Sequence, residues 1–180
     1  MTLTLITGNE HKATQVAKWL GRPIEHKKID LDEIQSTNLN DVVAHKATQA
    51  YGIVGSPVLV EDTSFECASL NGLPGPFVKW FLQDLGNDKM AQLAQTAGSD
   101  RATVRIIFGL YDGKEMTFFD AAVGGTIVTP GRGTNGFGFD FNFVPDGATK
   151  TFAEMTDDEK QPFSHRAQAL KKVAEFLANA

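Results

Sequence analysis

The chain has 180 residues, 42% hydrophobic and 22% charged, the balance of a globular protein and not of a disordered or fibrous one. Its net charge of −5 argues against a duplex-binding protein, whose affinity rests on many Lys and Arg set against phosphates. One cysteine, Cys67, excludes an internal disulfide and a cysteine-cluster metal site. The scattered histidines (His11, His26, His45, His165), with no helical His-x-x-x-His pair, speak against a zinc enzyme.

From Thr2 to Thr7 polar and apolar residues alternate and stop at Gly8, the pattern of a strand entering a turn. This apolar run is too short for a signal peptide or a membrane span, so the expected compartment is the cytosol. A helix follows, with Ala13, Val16, Ala17 and Leu20 on one face, Asn9 as its N-cap and Gly21 as its stop. A second strand is expected over Ile24 to Ile29. A second helix is expected from about Asn40 to Tyr51, with Val43, Ala47 and Ala50 on one face. Gly55-Ser-Pro57 turns into a short buried strand, Val58-Leu-Val60. The stiff loop Gly72-Leu-Pro-Gly-Pro76 leads into a helix from Pro76 to Leu85, proline suiting the first helical position. Another helix spans about Asp88 to Ala97. Arg101 to Leu110 and Met116 to Val128 read as two long strands joined at Asp112-Gly113, and Phe137 to Val144 as a short strand. The last helix, Ser164 to Leu177, carries Ala167, Leu170, Val173, Ala174 and Leu177 on its core face. Strands and helices are intermixed, so the expected class is α/β with a mixed sheet, in one domain over residues 1–180.

Three features point to chemistry. Helix N-termini carry partial positive charge, so basic residues there cost roughly 0.3–1 kcal/mol each. Yet Lys12 follows Asn9, Lys79 follows Pro76, and His165 and Arg166 open the last helix. A bound polyanion would account for all three, where one misplaced surface lysine would account for any of them alone. Second, Val58-Leu-Val60 is followed at once by Glu61 and Asp62, placing carboxylates at a sheet rim. Adjacent strand residues point to opposite faces, so the two are expected to do different jobs. Asp30, Asp32 and Glu33 follow the second strand, and magnesium needs one or two carboxylates beside phosphate oxygens. Third, Gly136-Phe-Gly-Phe-Asp-Phe-Asn-Phe143 would put Phe137, Phe139, Phe141 and Phe143 on one face of a strand and Asp140 on the other, glycine-lined one. The rings serve either as core or as stacking surfaces for a base, worth about 1–3 kcal/mol each, and periodicity does not divide the two tasks. Gly131-Arg-Gly-Thr-Asn-Gly136 satisfies the dinucleotide-binding pattern, but it follows Pro130 and precedes an aromatic run, so a nicotinamide site is rejected.

Taken together, these segments resemble the inosine triphosphate pyrophosphatase, or Ham1-like, family, in a version closer to the eukaryotic type. The resemblance runs from Thr7-Gly-Asn9 with Lys12 to Ser164-His-Arg166. It passes through Val58-Leu-Val-Glu-Asp-Thr63, Gly72-Leu-Pro-Gly-Pro-Phe-Val-Lys-Trp80, Gly136-Phe-Gly-Phe-Asp140, and Phe152-Ala-Glu-Met155 with Glu159-Lys160. It implies a long central mixed sheet with flanking helices in two lobes around a nucleotide cleft, and a homodimer. It implies a small-molecule nucleoside triphosphate as partner, with neither nucleic acid nor membrane. It also implies roles. Thr7, Gly8, Asn9 and Lys12 would cradle the triphosphate, joined by Lys79. Glu33 and Asp62 would serve magnesium, with Glu61 nearby. Phe137 and Phe139 would stack on the base, with Gly138, Asp140, Lys160, Ser164, His165 and Arg166 around base and sugar. Donors from His165 and Arg166 to the purine O6 would favour a 6-oxo base, since adenine presents an amino group there at a cost of about 1–3 kcal/mol. The chain departs from the family's usual residues at Phe77, Phe139, Phe141 and Gln161-Pro162-Phe163.

The implied reaction hydrolyses ITP, dITP or XTP to monophosphate and pyrophosphate. Water attacks the α-phosphorus, Asp62 binds the metal or activates that water, and Lys12 and Lys79 stabilise the leaving group. The alternatives are a pyrophosphatase for another modified nucleotide and a nucleotide-binding regulator without turnover.

Overall fold

The computed structural model describes residues 3–21 and 23–179, with His11 described in its backbone alone. Thr2, where the first strand is expected to begin, lies outside the described residues. In chain order the elements are β1 (Thr4–Ile6), α1 (Glu10–Leu20), β2 (Glu25–Lys27), α2 (Leu39–Val54), β3 (Val58–Cys67), β4 (Pro74–Gly75), α3 (Val78–Leu85), α4 (Asn87–Thr96), β5 (Arg101–Tyr111), β6 (Met116–Ile127), β7 (Phe143–Pro145), α5 (Asp157–Lys160) and α6 (His165–Asn179). The strands hydrogen-bond in the order β2-β1-β3-β5-β6-β7, and β4 pairs with β3. β1 is parallel to β2 and β3, whereas β3/β4 and β6/β7 are antiparallel, so the sheet is mixed, as expected.

Local chemistry explains the helix ends. The Asn9 side chain accepts the Lys12 N–H at 3.2 Å, capping α1, and Gly21, at φ 64°, ends it. Asn38 caps α2 by accepting the Asn40 N–H at 3.1 Å. Gly55, at φ 71°, closes that helix with its N–H on the Tyr51 carbonyl at 2.8 Å.

The chain divides into two compact units. One comprises Met1–Asp62, Ile106–Ala121 and Arg166–Ala180, the other Thr63–Arg105 and Ala122–His165. In the first, Leu5, Leu59, Ile106 and Phe108 pack against Val16 of α1 and Leu170 and Val173 of α6. Val58, Val60 and Ile107 turn the other way, onto Val43, Ala47 and Ala50 of α2. The two-residue period of β3 thus places neighbouring side chains in separate cores. In the second unit, Phe65, Cys67, Val104 and Ile127 pack with Met90, Ala91 and Ala94 of α4 and with Phe139, Phe143 and Phe152. Each fully buried ring contributes roughly 1.5–3 kcal/mol.

Three expectations need correction. Residues 137–144 are not one strand: Gly138–Phe141 form a 3-10 turn, and β7 begins at Phe143. The phenylalanine alternation therefore does not make a face. Phe137 is 60% exposed, whereas Phe139 and Phe143 are buried. The cause lies in the glycines and Asp140. Gly136 and Gly138 adopt φ 111° and 60°, and the Phe137 N–H donates to Asp140 Oδ2 at 3.3 Å. Second, β3 does not stop at Val60 but runs to Cys67, so Glu61 and Asp62 sit mid-strand and not at its end. Their charges are met by partners, which removes the reason for a strand to break there. Third, α3 starts at Val78 with Phe77 as its N-cap residue, so Pro76 precedes the helix, while Lys79 remains in its first turn. Smaller shifts shorten the second strand to Glu25–Lys27 and extend α2 to Val54.

Candidate active site

The turn between β1 and α1 is shaped by its own side chains. Thr7 Oγ1 accepts the Asn9 N–H at 3.1 Å, and the Thr7 N–H donates to the Lys27 carbonyl at 3.0 Å. At Gly8 an added Cβ would lie 3.0 Å from the Lys28 stem, so the absence of a side chain lets that lysine cross the turn.

Lys12 donates from Nζ to Glu61 Oε1. Arg166, in the first turn of α6, donates from Nε to Glu61 Oε2 at 3.1 Å and from Nη2 to Oε1 at 3.3 Å. Two of the cations singled out at helix starts therefore meet on one carboxylate, whose side chain is 8% exposed. Burial alone pushes the Glu61 carboxyl up, but Arg166 and Lys12 outweigh it and hold it down to about 2. One detail of the helix-start pattern changes: α1 also carries Glu10 in its first turn, whereas the first turns of α3 and α6 hold no acid.

Asp62, one residue on, does different work. Its Oδ2 accepts Lys46 Nζ at 2.7 Å, and the same ammonium reaches Glu33 Oε1 at 3.3 Å. Burial lowers the Lys46 pKa, but Asp62 and Glu33 reverse this and leave it raised. Glu33, expected beside Asp62, is thus within reach of one cation with it. Lys46 was not anticipated. It sits on α2 beside the core positions Val43 and Ala47, where a lysine reads as an ordinary side chain lying along an apolar stripe. Among the described residues no group of three His, Cys, Asp or Glu side chains is arranged to hold a metal.

The second unit carries Phe137 and Phe139, the rings expected at the base. Phe139 stacks on Phe65, with centroids 4.9 Å apart at 30°, and so belongs to the packing of the core. Phe137 presents its ring to solvent. Asp140 is buried, and its Oδ2 accepts Lys160 Nζ at 2.7 Å. That ammonium also lies 4.7 Å from the Phe152 ring centre. His165 is buried, 6.5 Å from the Phe139 ring and 6.3 Å from Phe152. Ser164 precedes α6 in extended conformation, and Gly138, at φ 60°, opens the 3-10 turn. Lys79 is exposed and lies over the Trp80 ring at 4.9 Å. Arg166 is placed with Lys12 on Glu61, in a different unit from its neighbour His165.

The description of the Ham1 family matches residues 3–176. The chain belongs to the Ham1 family. Inosine triphosphate pyrophosphatase of Schizosaccharomyces pombe is 41% identical over 180 residues, covering 98% of this chain and 95% of that one. Inosine triphosphate pyrophosphatase 2 of Trypanosoma cruzi is 41% identical over 172 residues, with 93% and 88% covered. These eukaryotic relatives agree with the eukaryotic character of the motifs. A solved Ham1 protein from Coxiella burnetii superposes with a TM-score of 0.85 at 26% identity, covering 99% of this chain and 98% of that one. The α/β architecture with a mixed sheet is the Ham1 fold. Among the described residues no helix is long and apolar enough to cross a membrane.

Proposed function

We propose that this Ham1-family chain hydrolyses deaminated purine nucleoside triphosphates, ITP, dITP and XTP, to the monophosphate and pyrophosphate, removing aberrant nucleotides from the precursor pool. The curated relatives bear the name inosine triphosphate pyrophosphatase, which supports the reaction. The observation that carries the reading is the split between two adjacent β3 carboxylates. Glu61 fixes Lys12 and Arg166, while Asp62 and Glu33 share one cation. Cationic groups for phosphate and oxygen ligands for a hard metal are what cleavage of a phosphoanhydride requires.

Glu33 and Asp62 fit a magnesium site. Both are carboxylates, both reach the single Lys46 ammonium, and both keep solvent exposure (40% and 22%), which suits a cation that retains its own waters. Glu61 fits less well as a ligand, since both its oxygens already accept from Lys12 and Arg166. Bound magnesium would neutralise charge on the phosphate oxygens.

In the proposed reaction water adds to the α-phosphorus and the bridging bond to the β-phosphate breaks. The bonding electrons leave with pyrophosphate and one proton is released. Asp62 orients or deprotonates the water. Thr7, Gly8, Asn9, Lys12 and Lys79 hold the phosphates, the first four around the α1 N-terminus, where free N–H groups favour anions. Glu61 holds Lys12 and Arg166 in place. Phe137, whose ring is exposed, stacks on the base, whereas Phe139, expected to share that task, is packed on Phe65. Gly138, Asp140, Lys160, Ser164, His165 and Arg166 surround base and sugar, with His165 and Arg166 donating to a 6-oxo group. The chain acts as one catalytic domain over residues 1–180, a cytoplasmic homodimer that binds neither nucleic acid nor membrane.

The test is pyrophosphate release from ITP, XTP, dITP, GTP, ATP and dTTP, with magnesium and with EDTA. Magnesium-dependent release from the deaminated purines, well above GTP and ATP, is expected. Equal turnover of ATP would refute the base assignment, and no release from any of them would refute the activity.

A further inference from the structure

Glu33 lies in the segment between β2 and α2, which has no ladder of its own over residues 28–38. Ile29 and Leu31 pack on the core beneath α2, but the polar side of the segment is held elsewhere. Gln49 of α2 faces Asp32 with both ends of its amide. Its Oε1 accepts the Asp32 N–H at 2.8 Å, and its Nε2 donates to Asp32 Oδ2 at 3.0 Å. Gln49 stands three residues beyond Lys46, so both project from neighbouring positions of one helix surface. Lys46 there meets Glu33 and Asp62, and Gln49 grips the residue beside Glu33.

We propose that Gln49 is a positioning residue for the metal site: by locking Asp32 to α2 through two complementary hydrogen bonds, it holds Glu33 beside Asp62. The inference rests on the magnesium reading of Glu33 and Asp62. A glutamine amide suits the task because it matches one donor and one acceptor on Asp32 at once, which an aliphatic residue would not. Partners that orient a ligand without touching the metal typically govern its affinity by 10–100-fold.

The test compares wild type, Q49A, Q49E and the double variant D32N/Q49E. In Q49E a carboxylate oxygen replaces the Nε2 donor and faces Asp32 Oδ2, so two acceptors oppose each other. In D32N/Q49E the donor is rebuilt from the other side, at the wild-type net charge. For Q49A and Q49E the magnesium concentration giving half-maximal pyrophosphate release from ITP should rise about tenfold, with kcat at saturating magnesium within about twofold of wild type. Manganese titration of the nucleotide-free protein, followed by electron paramagnetic resonance, should show the same weakening. The added negative charge of Q49E would on its own draw the cation in, so weaker binding there separates positioning from simple charge. D32N/Q49E should recover most of the loss. In all variants the fold, read by circular dichroism, should be intact. Unchanged magnesium and manganese affinities in Q49A and Q49E would overturn the inference while leaving the magnesium reading in place. Wild-type turnover unaffected by EDTA would overturn both.

Discussion

Replacing Glu61 with glutamine keeps its shape and removes its charge, leaving Lys12 and Arg166 facing one another around a neutral amide. The native surroundings bring this carboxyl from an ordinary 4.5 to about 2. A difference of that size corresponds to roughly 3 kcal/mol of preference for the charged form. A depressed carboxylate pKa contributes stability that is complete above the unfolded value and disappears as pH falls through the folded one. Glutamine imitates the protonated state, so the gap between wild type and E61Q should be about 3 kcal/mol at pH 7, less than half of that at pH 3, and should close near pH 2. Urea unfolding at the two pH values, followed by far-ultraviolet circular dichroism, measures it. With a slope of about 2 kcal/mol per molar, the midpoint should fall by about 1.5 M at pH 7. A gap below about 0.5 kcal/mol at pH 7, the worth of a typical surface pair, would show that Glu61 is not held as a buried, doubly paired carboxylate. So would a gap that stays constant as the solution is acidified.

Other outcomes follow from the same geometry. D62N, at the proposed metal ligand, should lower kcat at saturating magnesium by about 100-fold or more. Its unfolding midpoint should fall less than that of E61Q, because Asp62 is the more exposed carboxylate and Lys46 keeps Glu33. Phe137→Ala should raise KM for ITP by roughly 5- to 150-fold while leaving Tm nearly unchanged. Phe139→Ala, by contrast, should cost about 3–5 kcal/mol of stability, since that ring is packed on Phe65. Thermal melts and ITP kinetics on the pair separate the stacking ring from the core ring. Cys67, buried with its thiol pushed up to about 11, should react with a thiol-exchange reagent only as fast as the protein unfolds. Rapid labelling of the native protein would contradict its burial.

What could be read in advance depended on how local the signal was. Asn9 and Gly21 act on their immediate neighbours, and α1 was placed from them, whereas α2 was placed from its apolar face and runs on past Tyr51 to Val54. Glu61 and Asp62 have different partners, as strand alternation, which sends adjacent side chains to opposite faces, leads one to expect. Yet the same two charges were read as the end of the strand, because what neutralises them is remote in sequence: Arg166 lies 105 residues from Glu61. The run Phe137 to Phe143 misled for a related reason. Its alternation imitates a strand, while its shape comes from two left-handed glycines and the Asp140 side chain folding back on the Phe137 N–H. Lys46 and Gln49 carried no motif at all. Their meaning arises when the 28–38 segment is laid on α2, a contact spanning 13 residues between Glu33 and Lys46 and 17 between Asp32 and Gln49. The proposed magnesium ligands and base-contacting residues rest on the family resemblance, since no periodicity in the chain designates them.

Hydrolysis of ITP in 18O-labelled water shows which phosphorus the water attacks. Attack on the α-phosphorus puts one labelled oxygen in inosine monophosphate and none in the pyrophosphate released beside it. Label in the pyrophosphate, or orthophosphate as the first product, would contradict it.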